Sequence, residues 1–164
     1  MTRRSQLVLA VAVVLAVVAV WKSGIKFLPS DPGQPGEVAV STSEGAIVFR
    51  LKPCKDEANA RVRSVTLEGA IGEPNEGLVV WEESSDQGST VRDYRVGQIT
   101  AGFVEKVPLT DIDPNSRYVV KVIPSYWPSG LITSFVPSEL RQDMWEVSTG
   151  PVSQDELEKM DPCA

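Results

Sequence analysis

Histidine is absent from all 164 residues of this sequence. Its absence removes imidazole acid–base catalysis, the Ser-His-Asp and Cys-His nucleophile arrangements, and every zinc site that needs a histidine ligand. Cysteine occurs only twice, as Cys54 and Cys163, too few thiolates for a metal cage without histidine. No G-X-Y period, internal repeat or low-complexity tract is present, which excludes collagen-like and solenoid architectures. A hydrophobic content of 42% is too high for a disordered polyampholyte. The length suits one domain with an additional segment.

Acidic side chains are missing from residues 1–29, where the only charges are Arg3, Arg4, Lys22 and Lys26. Between these pairs runs an unbroken apolar stretch, residues 7–21, from Leu7 to Trp21. As a helix, 15 residues would span roughly 22 Å, short for a permanent crossing and long for a signal-peptide core. Trp21, Lys22 and Lys26 have the character of interfacial anchors, and Arg3 and Arg4 hold the start in the cytoplasm. The expectation is therefore a single-pass cell-membrane protein with residues 1–27 as cytoplasmic tip and N-terminal transmembrane helix, and with the remainder on the extracytoplasmic side. The alternative is a secreted domain released after Val17-Val18-Ala19, an imperfect processing site. No cysteine near the end of the run supports lipid attachment.

The remaining 12 basic residues face all 22 acidic ones, so the part beyond residue 29 carries a net charge of −10. Such a domain does not bind nucleic acid through its phosphates and is repelled by anionic headgroups. Two cysteines in an oxidising compartment are most simply read as one disulfide, Cys54–Cys163.

Residues 28–36 form a Pro/Gly linker. The segment 37–150 reads as β structure, with strands expected at 37–42, 46–52, 60–67, 78–83, 91–99, 103–109, 118–123, 131–136 and 144–148. Most alternate or are rich in β-branched residues, and Gly, Pro, Asn or Asp separates them. The fold class is all-β, an antiparallel β-sandwich. In the acidic tail, 151–164, Ser153 and Glu156 fit a capping box that opens a short helix running to Met160, before Pro162.

The best local signature comprises Leu109, Ile112, Pro114-Asn115-Ser116 and Tyr118, followed by Val120 and Val122. It resembles the E–F corner of fibronectin type III and immunoglobulin-like domains, which implies a tyrosine hydroxyl bonded back to the upstream backbone. Pro114 presets the turn, Asn115 suits a left-handed conformation, and Tyr118, Val120 and Val122 share one strand face. Phe49 stands where the fibronectin pattern usually places a core tryptophan. Trp81-Glu82, Tyr94 to Gln98, Gly102-Phe103, Tyr118 and Phe135-Val136-Pro137 together resemble small exported bacterial β domains of unknown function. Neither resemblance implies an activity.

Few residues offer chemistry. Asp111, Asp113 and Asn115 imitate the start of a calcium loop, but Ser116 and Val122 occupy the positions that require Gly and Glu. Glu82 and Glu83 are adjacent in a strand and must point to opposite faces. A Ser-Lys pair is the remaining His-free nucleophile, and no motif singles out a serine. No cofactor or metal is expected, and a small His-independent hydrolase is only an alternative. Trp81, Trp145, Tyr94 and Phe103 are expected in the core. Tyr126 and Trp127 lie in a Pro/Ser/Gly loop between two strands. They are the candidate partner-binding anchors, although Trp127 could instead fold over the end of the core. The expected role is a binding or accessory module with a protein partner in the cell envelope.

Overall fold

A computed structural model describes residues 36–54 and 59–163. The expected membrane segment 7–21 and most of the linker lie outside the described residues. Among those described, no helix is long and apolar enough to cross a membrane.

The chain opens with a hairpin of β1 (Gly36–Ser43) and β2 (Ala46–Pro53) in full antiparallel register from Gly36–Pro53 to Ser43–Ala46. Its two-residue turn has both central residues at positive φ, Glu44 at 51° and Gly45 at 77°. That is the primed geometry whose twist matches the strands it joins. There follow β3 (Val62–Gly69), β4 (Val79–Ser89), β5 (Asp93–Arg95), β6 (Val104–Val107), β7 (Tyr118–Pro124), β8 (Leu131–Phe135), β9 (Met144–Val147) and β10 (Gly150–Ser153). A six-residue helix, α1 (Gln154–Lys159), is the last element of the described chain.

The strands form two five-stranded antiparallel sheets, ordered β10-β9-β1-β2-β5 and β6-β4-β3-β7-β8. The expected all-β sandwich with a short C-terminal helix is what is observed. Four strands differ most from expectation. Residues 91–99 shrink to β5, residues 103–109 shrink to β6, residues 78–83 extend to Ser89, and β10 is additional. β10 contains Pro151, a residue tolerated because β10 is outermost and needs no second ladder. The tail thus begins within a sheet.

Alternation sets the core. In β7, Tyr118, Val120, Val122 and Pro124 are buried while the residues between them are half-exposed, the period-2 pattern of a strand covered on one face. Phe49 sits centrally, its ring 6.3 Å from both Trp81 and Phe135. The core does hold a tryptophan, Trp81, but β4 supplies it and not the second strand. Fully burying a side chain of Phe49's size contributes roughly 2–3 kcal/mol. Tyr94 and Phe103 meet edge to face at 5.8 Å, and both are buried as expected.

The Tyr118 corner also forms. The Tyr118 hydroxyl accepts the Asp113 backbone N–H at 2.9 Å. Asn115, however, is not left-handed; Glu44 is the one described non-glycine residue with positive φ. The Asp113 carboxylate closes the turn instead, accepting the Asn115 N–H and the Ser116 hydroxyl, each at 2.9 Å. An Asx-type turn of this kind needs no left-handed residue.

A second, smaller core lies on the outer face of the first sheet. Leu157 of α1 packs on Ala39 and Val147, all three buried, with Trp145, Val152 and Met160 around them. The helix is held at both ends. Ser153 and Glu156 make the reciprocal capping box, and Lys52 of β2 donates to the C-terminal carbonyls of Leu157 and Glu158. Just beyond, Cys54 and Cys163 form the expected disulfide, with Cα atoms 5.7 Å apart and a sequence separation of 109.

Trp145 was expected in the main core and is half-buried outside it. The register explains this: Val40, which points inward, pairs with Glu146, so the neighbouring Trp145 must face outward.

Candidate functional site

The outer face of the first sheet is only partly covered by α1. Its open part carries a groove of about 400 Å³. β2 contributes Val48 and Arg50, β5 contributes Asp93 and Arg95, β9 contributes Trp145, and the segment 98–101 forms a wall. The pairs Arg50–Asp93 and Val48–Arg95 face one another directly across β2 and β5. Phe49 and Tyr94, between them in sequence, go to the core.

Arg50 is held on two sides. Its Nε donates to Asp93 Oδ1 at 2.6 Å, and its guanidinium carbon lies 4.8 Å from the Trp145 ring centroid, within cation–π range. The indole is fixed in turn, Nε1 donating to Gln154 Oε1 at 2.7 Å. Arg95 reaches the other way. Its Nη2 donates to the Ser43 carbonyl at 3.2 Å and lies 3.4 Å from the exposed Glu44 carboxylate. Both arginine side chains remain about one-third exposed, 34% each.

The wall of the groove is fastened through the core. Glu83 points inward from β4 and is fully buried, while Glu82 faces out, as adjacency requires. Glu83 Oε2 accepts the Thr100 backbone N–H at 2.8 Å. Oε1 has no hydrogen-bond partner among the described residues. Burial pushes the Glu83 carboxyl above its ordinary range, the Thr100 hydrogen bonds pull it partly back, and Glu105 adds a smaller upward push. Burial likewise raises the Tyr94 phenol; its hydroxyl donates to the Val91 carbonyl at 2.7 Å.

Tyr126 and Trp127 fall in the loop after β7. Both are half-buried, and Trp127 packs against the main core. The Tyr126 hydroxyl comes close to the Gly36 backbone, within 3.2 Å of where a Cβ would stand. They are not part of the groove. Around Asp113, both carboxylate oxygens are engaged in the turn, and no three metal-ligating side chains cluster among the described residues.

The groove was not visible as a site in the sequence. Arg50 and Arg95 take the strand face opposite the buried Phe49 and Tyr94, and only the β2–β5 pairing and the register of β9 bring them beside Trp145. No protein-family model matches the chain, and no curated protein matches it at a significant level.

Proposed function

We propose that this chain is a membrane-anchored binding or accessory module of the cell envelope, not a catalyst, displaying an Ig-like or fibronectin type III-like sandwich on the extracytoplasmic side. The groove beside Trp145 carries the binding reading, because its charged groups are already oriented by neighbouring side chains. Support for export comes from the apolar run 7–21 after paired arginines, and from a disulfide, which belongs to oxidising compartments. The Tyr118 corner supports kinship with the fibronectin type III pattern. Tyr126 and Trp127 provide a second candidate surface, favoured by two aromatic rings at one loop and left half-exposed.

The test is site-directed photo-crosslinking in cells producing the full-length chain. A photoreactive residue would replace Ile99, 54% exposed at the groove wall, or Tyr126, with Ile71, 89% exposed in the turn after β3, as control. A discrete protein adduct at Ile99 in the membrane fraction, absent at Ile71, is expected. An adduct at Tyr126 alone would move the working surface to that loop. Equal labelling at all three positions, or none at any, would refute the proposal. Recovery of the protein from the medium, beginning near Val20, would replace the anchor with a secreted domain.

A further inference from the structure

The groove is a charge-balanced spot on an acidic body. The part beyond residue 29 carries −10, whereas the groove's two arginines are matched by Asp93 and, at its rim, Glu44, for a local sum of zero. An anion meets less repulsion here than over a surface of the average charge.

Arg50 is prepared for such a ligand. The cation–π contact with Trp145 and the Nε–Asp93 bond hold its guanidinium in place, so less rotamer entropy remains to be lost on binding. Its two Nη groups make no hydrogen bond among the described residues and form the unused edge of the planar fork. Arg95 supplies a second cation on the same face. Its present partner, Glu44, is 80% exposed at 3.4 Å, a screened pair that another carboxylate can displace at small cost.

Two features narrow the anion. Asp93 stands at the groove beside Arg50, so a dianionic phosphate would meet a strongly repulsive neighbour, whereas a single carboxylate meets half that repulsion, can take the place of Glu44 on Arg95 and matches the fork geometry of Arg50. β5 is outermost in its sheet. An extended chain lying beside it would find backbone groups at a strand edge and the apolar side chains of Val48 and Ile99 between its charges.

Resting on the binding reading above, we propose that the groove captures a carboxylate side chain from an extended acidic segment of a partner protein, with Arg50 as the planar clamp and Arg95 as the second cation.

The experiment uses the full-length chain in a mild detergent and fluorescence anisotropy with a dye-labelled peptide alternating valine and glutamate. The glutamine counterpart is the control. Saturable binding of the glutamate peptide is expected, with affinity about tenfold lower for the glutamine peptide. Arg50→Lys keeps the charge but loses the fork, and should weaken binding about tenfold. Arg95→Gln should weaken it by a factor of about 3. Each variant is checked for an unchanged melting temperature, and Arg95→Gln tests the groove even if Arg50→Lys disturbs the Trp145 stack. Equal affinity for the two peptides would overturn the proposal, as would binding indifferent to both substitutions in folded protein. Stronger competition by inorganic phosphate than by glutarate would overturn the carboxylate assignment. Binding of oligogalacturonate but not of the peptide would overturn the protein partner; a discrete protein adduct at Ile99 alongside failure of the peptide to bind would overturn the acidic-segment assignment alone and leave the binding reading standing.

Discussion

Removing the bridge between Cys54 and Cys163 is the most informative perturbation of the fold. The bridge closes a loop with a sequence separation of 109, for which the chain-entropy relation gives about 4.8 kcal/mol of denatured-state destabilisation at room temperature. With an unfolding entropy typical of about 130 ordered residues, that corresponds to a fall in Tm of roughly 15–20 °C. The native state should change little. Leu157 remains buried against Ala39 and Val147, and Lys52 still holds the last helical carbonyls. The assay is urea and thermal unfolding of the full-length chain in one detergent, wild type against Cys54→Ser/Cys163→Ser, with hydrogen exchange followed at α1. The expected result is a large loss of global stability and a steeper urea dependence, because an unlinked denatured chain exposes more surface. The Met160 amide, bonded to the Glu156 carbonyl at 2.9 Å, should stay protected under native conditions. A loss below about 1 kcal/mol, together with rapid exchange confined to α1, would refute the reasoning. The bridge would then merely pin a tail outside the cooperative unit.

Two further substitutions test single interactions. Tyr118→Phe deletes the acceptor of the Asp113 N–H at 2.9 Å and should cost about 1 kcal/mol in urea unfolding without opening a cavity; an unchanged midpoint would show that the corner is decorative. Glu83→Gln addresses a buried carboxyl whose pKa the fold raises. Since the folded value lies above the unfolded one, the penalty is absent at low pH. It grows as pH rises past about 4.5 and is complete above the folded value. The variant keeps an oxygen for the Thr100 N–H, so it should be roughly 1–2 kcal/mol more stable at neutral pH. Its stability should also lose the decline above about pH 4.5 expected of the wild type. Asp113 and Glu156 are shifted the other way by their turn and cap hydrogen bonds, so their contributions are lost at lower pH and do not mask the effect. Destabilisation of Glu83→Gln at neutral pH would mean that the charge itself is needed to hold the Thr100 segment.

Local physics made much of this fold legible. Alternation in residues 118–123 and 131–136 exposed the inner faces of β7 and β8, the Ser153–Glu156 spacing announced α1, and Pro114 with Tyr118 marked the corner. These signals reside in a few consecutive residues and need no partner to be read. Other features depended on pairings distant in the chain. β10 went unseen because Gly150 and Pro151 are poor strand residues, and it forms only because β9 offers an edge. Trp145 looked like a core residue by type and became part of a groove through the Val40–Glu146 register. Arg50, Asp93 and Arg95 were surface charges on separate strands until β2 and β5 paired.

By itself the sequence determined the β class, the acidic balance of the region beyond residue 29, the absence of imidazole chemistry and the pairing of its only two cysteines. Each follows from composition or from short-range stereochemistry. Only the tertiary structure decided which arginine sits over which indole, and why a glutamate two residues beyond the core Trp81 is buried. Those contacts join residues 17 to 95 positions apart, at distances that strand order and register set and that no local pattern encodes.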